Sequence, residues 1–446
     1  MATKALVDVR GTAIAVVDGN AMTAHLEVAL RGHGIRCVGL HSAPRLSGRW
    51  ADPTAYSAEL GHQRTLDAAV AALAELRVGR VLAGGDSGVA LADVLNDRLG
   101  LPGNDPARTA ARRDKAAMAA QLHAAGLAAP ATAQVGSPDE AADWYSACGH
   151  PRVVVKPVAS SGTDHVRVCA NAGDVREAVE QVLGAENFFG EANSAALVQE
   201  FLSGDEFMVN TVAVDGVHKV SDVWSSRKTA GPGGVPLYDY QQPVPRAGAD
   251  VVVDYVKDAV AALGVVTGAA HSEVMLTARG PVLIETAPRL MGGFQPAEVE
   301  RCCGTSHVEL LARSLVDPAA FDAFEERDVR WRQQLRNVWL INPRAGVCRS
   351  RWPEAFAALP AHRGVTARFG PGDPAPRTVD ARSSPGYVWL AARTEAELDR
   401  DLAAVRALEA GDLYVTGRAP DEGEAASADR GQHQRAQALG VRTVRS

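Results

Sequence analysis

The chain has 446 residues, 46% of them hydrophobic, and a formal net charge of −7 at pH 7. That length exceeds one core and implies two or three domains, while a mildly acidic balance without a dense basic stripe argues against nucleic acid as the main partner. The six cysteines (Cys37, Cys148, Cys169, Cys302, Cys303, Cys348) lack zinc-type spacing, the chain does not open on a leader-like apolar run, and no stretch approaches the ~20 apolar residues of a membrane helix; a cytoplasmic location and no membrane partner are the expectations.

The first hundred or so residues alternate strand and helix patterns. Residues 13–18 form a short apolar run closed by Gly19-Asn20, a helical stretch follows to about Gly32, and Ile35–Leu40 is a second strand. Thr65–Leu76 has helical periodicity. Residues 80–83 form a third strand ending in Gly84-Gly85-Asp86, and Asp86–Leu99 reads as a helix. Such a βαβ order predicts a parallel sheet. No G-x-G-x-x-G follows the first strand, which weighs against an NAD-dependent oxidoreductase built on that sheet.

Arg112–Ala125 predicts a helix that Gly126 stops. Arg152–Lys156 is a short buried strand, which Pro157 should not continue as a central one. The small residues 158–163 then read as a flexible stretch, His165–Ala170 as strand and Asp174–Leu183 as helix. Three strands follow, Ala195–Phe201, Glu206–Val214 and Val217–Trp224, the last two joined by an Asp215-Gly216 hairpin turn. Trp224–Tyr240 is long and Gly/Pro-rich, and reads as a substrate loop. Tyr255–Leu263 is a helix, Cys302-Cys303 a packed helical pair, and Arg336–Ile341 a strand of a compact α+β segment ending near Gly417. The Ala/Glu/Arg/Gln-rich remainder reads as a loosely ordered tail.

The most informative stretch is residues 271–289. Its flanks alternate like strands, and Ala278-Arg279-Gly280 is a tight turn. If the turn centres on Arg279, Glu273 and Glu285 face each other. Like charges directly opposite on a sheet destabilise it, so something positive belongs between them. Two carboxylates at one point form the hard-oxygen donor set with which Mg²⁺ also holds substrate phosphates; two solvated strand acids are the plainer alternative. Lys156, at a strand end before a Ser/Gly loop, is costly to bury without an anion. Small residues there let backbone N–H groups approach phosphate oxygens. The strand Val198–Leu202 runs into a hinge whose backbone can meet a purine edge, with Glu206 just beyond. Asp114-Lys115 opens a helix, and Arg289 follows Glu285 by four residues, within reach of a carboxylate or phosphate.

This order (helix lysine, strand lysine with small loop, hinge with acids, hairpin with two glutamates and an arginine) resembles the ATP-grasp superfamily over about residues 1–415. The resemblance implies an α/β protein: an N-terminal Rossmann-like α/β domain (1–110), an ATP-grasp fold of two α+β subdomains (111–330, lid about 150–205), a C-terminal α+β segment (331–417) and a flexible tail (418–446). It implies that Lys115 and Lys156 contact ATP phosphates beneath a loop of Ser160, Ser161 and Gly162. Gln199 and the backbone of Glu200 and Leu202 would hold adenine, and Glu206 the ribose. Glu273 and Glu285 would hold two Mg²⁺ ions, for which Mn²⁺ can substitute. Where the family often has Asn this chain has Ala287, so water or phosphate oxygen must fill one metal position. The Glu-x-Ala-x-Arg form looks like the branch of L-amino acid ligases that make dipeptides. That branch implies Arg289 for the substrate carboxylate, with His271, Gly292 and Gly293 around the substrate and Arg227 and Lys228 near the transferred phosphate. The implied reaction joins an acid, such as an amino acid, to an amine through an acyl phosphate. A carrier-thiol or purine-pathway ATP-grasp reaction, or a non-catalytic ATP-binding module, are the alternatives, and a homodimer is left open.

Overall fold

The computed structural model describes residues 12–44, 56–160, 165–187, 192–231, 236–411 and 413–416. They form two compact units, Met1–Ser225 with Val244–Arg330, and Ser226–Pro243 with Trp331–Ser446.

The first unit begins with β1 (Ala13–Val17), α1 (Ala21–Arg31), β2 (Arg36–His41), β3 (Ala58–His62), α2 (Leu66–Glu75), β4 (Val78–Ala83) and α3 (Val89–Arg98). The strands make a sheet in the order β3-β2-β1-β4 with parallel pairing. β1 is buried throughout, as its unbroken apolar run requires of a central parallel strand. Asn20 starts α1 through a capping box with Thr23. β3 was not anticipated: it is a short, half-exposed edge strand without apolar alternation. β4 is the other edge, and the Asn96 amide completes it, accepting from Val81 N at 2.9 Å and donating to Val81 O at 2.8 Å. After β4 the chain crosses the carboxyl end of β1 so closely that a Cβ on Gly84 would lie 2.6 Å from Asp18 O. Glycine is therefore needed there, and the crossing delivers Asp86 to the strand ends.

Arg112, fully buried, donates to Asp93 at 2.7 Å and to Leu263 O at 2.9 Å, fixing the entry to α4 (Lys115–Ala124). Asp114 caps α4 by accepting from Ala116 N and Ala117 N, and Gly126, at φ 74°, ends it. Next come β5 (Thr132–Val135), α5 (Pro138–Cys148), β6 (Val153–Pro157), β7 (Arg167–Cys169), α6 (Ala172–Leu183) and β8 (Ala196–Glu200). They make an antiparallel sheet, β5-β8-β6-β7, with its own core. Pro157 is the last residue of β6 and lies opposite Ala196, so the proline closes a central strand rather than interrupting one.

The chain continues through β9 (Gly204–Val214), β10 (Val217–Ala230), β11 (Pro236–Pro243), α7 (Asp250–Ala262), β12 (Gly268–Thr277), β13 (Gly280–Ala287), α8 (Pro296–Cys303), α9 (His307–Val316) and α10 (Pro318–Asp322). In the first unit the strand order is β13-β12-β9-β10. Cys302 and Cys303 are buried in α8, as the helical pair was expected to be. The expected substrate loop at 224–240 is not a loop where it is described: residues up to Ala230 continue β10, and β11 begins at Pro236. The Gly/Pro composition belongs to the short connection between two strands, not to the whole segment.

The second unit contains β11 with β14 (Gln334–Trp339), β15 (Gly346–Cys348), β16 (His362–Ala367), β17 (Pro374–Ala375), β18 (Gly386–Ala392), α11 (Glu395–Ala410) and β19 (Val415–Thr416). β11-β14-β18-β16 form its main sheet, and α11 packs on a core containing Trp352, Phe356 and Leu390. The tail 418–446 lies outside the described residues. Among the described residues no helix is long and apolar enough to cross a membrane.

One stability prediction follows from the edge of β4. Asn96→Ala strips an edge strand of two hydrogen bonds and leaves a buried backbone N–H and C=O unmet. The variant should lose about 2–3 kcal/mol, read as a lower urea midpoint with an unchanged slope.

Candidate active site

The site is built on one face of three neighbouring strands. In β12 and β13, Glu273 lies opposite Glu285 and His271 opposite Ala287. The turn itself is Ala278-Arg279, with Thr277 opposite Gly280, and one extra residue in β13, Ile284, shifts the register so that the glutamates meet. On the other side, β9 places Glu206 opposite Met275, Met208 opposite Glu273 and Asn210 opposite His271. Alternation then puts Glu206, Glu273, Glu285 and His271 on the same face.

The positive group that answers the paired glutamates is Lys115. Its Nζ lies 2.8 Å from Glu285 Oε2 and donates to Ser160 O at 3.2 Å. One ammonium therefore joins the first turn of α4, the loop after β6 and the second glutamate. Burial alone would depress Lys115, but Glu285, with Asp86 and Glu273 behind it, holds its pKa above the ordinary value. Ser161 and Gly162 lie outside the described residues.

Arg289 is held by a residue that sequence reasoning missed. Its Nε donates to Asp86 Oδ1 and its Nη2 to Asp86 Oδ2, both at 3.0 Å, a bidentate grip on a carboxylate. Arg113 also donates to Asp86 O. Burial would raise the Asp86 carboxyl, yet Arg289 outweighs it, with Lys115 and Arg113 adding, and the pKa falls below its ordinary value. The one signal in the sequence was the Gly84-Gly85-Asp86 strand end, which reads equally well as a helix cap.

On the nucleotide side, Lys156 is buried and donates to Gln199 Oε1 at 2.9 Å, while Gln199 Nε2 donates to Thr132 Oγ1 at 2.9 Å. The expected phosphate lysine and adenine glutamine are thus in contact across β6 and β8. The Glu200 amide already donates to Ala131 O at 2.8 Å, so that N–H is committed to the fold. The Glu200 carboxylate meets Arg279 of the hairpin turn at 2.7 Å. Leu202 lies in the hinge between β8 and β9, and Glu206 is buried on the shared face.

Beyond Glu273 the face becomes a buried polar network. His271 Nε2 is 3.5 Å from Glu273 Oε1, and Nδ1 is 2.9 Å from Asn210 Oδ1. Asn210 donates to Asp222 Oδ1 at 2.5 Å, and Trp224 and Ser221 donate to the same carboxyl at 2.6 and 2.7 Å. Burial raises the Asp222 pKa despite these donors. His307, at the start of α9, is pushed down to about 3 by burial and stays neutral, accepting from Met291 N at 3.3 Å. Past Met291, Gly293 has φ 75°, so its glycine answers a backbone requirement, whereas a Cβ on Gly292 would meet nothing within 4 Å. Arg227 and Lys228 belong to the second unit as β10 residues, with Lys228 Nζ 4.9 Å from the Tyr238 ring centroid.

Among the described residues no three His, Cys, Asp or Glu side chains are gathered to hold a metal by themselves. The Glu273–Glu285 pair instead offers an open two-carboxylate set with a cation already at one member. Such a set fits a divalent ion that takes its remaining ligands from phosphate oxygens and water.

This arrangement defines an ATP-grasp fold, and comparison with known proteins agrees. The ATP-grasp domain family matches residues 150–298. Dapdiamide A synthase of Enterobacter agglomerans is 34% identical over 361 residues, covering 80% of this chain and 85% of the relative. An L-amino acid ligase from Bacillus licheniformis superposes with a TM-score of 0.71 at 17% identity, over 92% of this chain and 100% of that one. Phosphoribosylglycinamide synthetase from Anaerococcus prevotii superposes with a TM-score of 0.61 at 15% identity, over 89% and 98%. The chain belongs to the ATP-grasp carboxylate–amine ligase family that includes dapdiamide A synthase. It is an ATP-dependent ligase.

The ion pair gives a pH-dependent prediction. Asp86 titrates below its ordinary 3.8 in the folded chain, so its contribution is present above that value and is lost as pH falls through the depressed one. The Asp86 side chain is 27% exposed, which moderates the effect. Asp86→Asn should cost about 1–2 kcal/mol at pH 7. The gap from the parent chain should shrink toward pH 3, measured by denaturant unfolding at both pH values.

Proposed function

We propose that this ligase activates the carboxylate of an α-amino acid at Arg289 and joins it to a second amine, a further amino acid being the natural partner. The observation that carries the reading is the Arg289 fork. It grips a carboxylate, that of Asp86, beside a lysine that touches Glu285 and the loop after β6. A substrate carboxylate can take the same two hydrogen bonds. Asp86, released from Arg289, is left with a negative charge that an α-ammonium group satisfies, which favours an amino acid over a plain acid. Kinship to dapdiamide A synthase and likeness in fold to an L-amino acid ligase support this reading.

In the reaction a carboxylate oxygen attacks the γ-phosphorus of ATP, the bond to the bridging oxygen breaks, and ADP leaves. The amine nitrogen then attacks the acyl carbon of the resulting acyl phosphate. Phosphate departs with the electrons of the C–O bond, and the nitrogen loses a proton. Arg289 holds the acid, while Lys115 and Lys156 offset phosphate charge as two anions are brought together. Glu273 and Glu285 would hold Mg²⁺, two ions or one, or Mn²⁺ in its place; when bound, it neutralises and orients the phosphates. Glu206 would hold the ribose, and the hinge at Leu202 the adenine. Residues 150–205 would act as the lid that keeps water from the acyl phosphate. His271, fixed by Asn210 and Asp222, borders the acid side chain, and Gly292 leaves that space open.

Three variants test this. Glu285→Gln should abolish amino-acid-dependent ADP release, a loss of several kcal/mol or about a thousandfold, while circular dichroism stays unchanged. Near-normal turnover would remove the two-glutamate site. Arg289→Lys should bind a non-hydrolysable ATP analogue normally yet form amide about a hundredfold more slowly. Gly292→Leu should narrow acceptance of bulky acids without loss of stability.

A further inference from the structure

A small cavity of about 30 Å³ lies within the first unit, and neither Glu273 nor Glu285 lines it. Its walls come from the carboxyl half of β4, from α3, from Thr267 and Gly268 at the start of β12, and from Pro288 and Arg289 just after β13. It joins the parallel sheet to the hairpin that carries the substrate arginine. That volume exceeds the roughly 10–15 Å³ needed to hold one water.

Three ionisable residues line it: Arg80, Asp93 and Arg289. Two are paired. Asp93 accepts from Arg112 Nη2 and Thr109 Oγ1, both at 2.7 Å, and Arg289 holds Asp86. Arg80 is not. It is 5% exposed, and its hydrogen bonds go to neutral oxygens, Thr267 Oγ1 at 2.5 Å and Pro102 O at 3.3 Å. Its Nε–H is buried without a partner. Asp215 acts on it only from beyond ion-pair distance. Burial lowers the Arg80 pKa to about 10, which leaves the guanidinium charged at neutral pH. A buried charge is tolerated when it is paired, and a buried donor when it is satisfied. Arg80 meets neither condition with protein groups alone, yet it borders a space of ionic size.

We propose that this cavity is a binding site for a small inorganic monovalent anion, chloride in ordinary salt, held by Arg80. The anion supplies the missing counter-charge and accepts the Nε–H. Because the walls include β4 and residues 288–290, its occupancy fastens the parallel sheet to the hairpin. Arg289 is a wall that the cavity shares with the proposed acid site, but the anion site does not depend on which acid or amine the ligase uses.

The test uses the full chain. Crystals grown in bromide should show an anomalous peak in the cavity within hydrogen-bond distance of Arg80 Nε. Thermal unfolding should show a midpoint higher in chloride than in gluconate at equal ionic strength. A rise of roughly 3 °C is expected when chloride exceeds its dissociation constant about tenfold. Arg80→Met should abolish the difference between the two salts. Water alone in the cavity of bromide crystals would overturn the proposal, as would a chloride-specific rise that persists in Arg80→Met. Should Arg80→Met fail to fold, the bromide map of the parent chain decides the matter by itself.

Discussion

Two carboxylates that the hairpin register forces to face each other organise the rest of the site. Glu273 and Glu285 lie opposite each other in β12 and β13, an arrangement that repels unless a positive group is supplied. The fold supplies one from a distance in sequence. Lys115, at the first turn of α4, reaches Glu285 and at the same time the Ser160 carbonyl in the loop after β6. Helix, loop and hairpin are thus tied by one ammonium. Arg289 repeats the device four residues on, and its fork is balanced by Asp86 from the end of the parallel sheet. Lys115 and Arg289 each have an acid opposite, Glu285 and Asp86. Bringing ATP and a carboxylate together requires surroundings of this kind, because both reactants are anions.

The architecture serves that centre. Gly84 lets the chain cross the end of β1 and present Asp86 there. Arg112 fixes the approach to α4, and Asp114 caps its first turn, so Lys115 leaves the helix in a defined direction. The antiparallel sheet of β5 to β8 carries Lys156 and Gln199 in mutual contact. Behind Glu273, His271 leans on Asn210 and the buried Asp222, a network whose donors are largely satisfied and which therefore resists rearrangement.

Much of this was legible in the sequence because it rests on short periodicities. The alternation on either side of Ala278-Arg279 gives the hairpin, and hence the facing glutamates. The detail differs: the turn is one residue tighter than a centre at Arg279 implies, and the bulge at Ile284 compensates. Position along the chain also singled out Lys115, Lys156 and Arg289 as candidates. What was hidden depends on contacts between distant segments. Asp86 looked like a helix start, since nothing local marks a partner some two hundred residues away. β3 lacks the apolar alternation that would expose it as a strand. Gly/Pro composition made 224–240 look like a loop, although most of it continues β10 and begins β11. Gly293 was read as pocket space, and its positive φ gives it a backbone reason to be glycine as well.

In the proposed reaction the substrate carboxylate itself attacks ATP at the Glu273–Glu285 face. Isotope transfer tests it most directly. With the acid labelled by ¹⁸O in both carboxyl oxygens, one labelled oxygen should appear in the phosphate released with each amide formed, and the other should remain in the product. Unlabelled phosphate accompanying amide formation would contradict the account, because the carboxylate would then never have been joined to the γ-phosphoryl group.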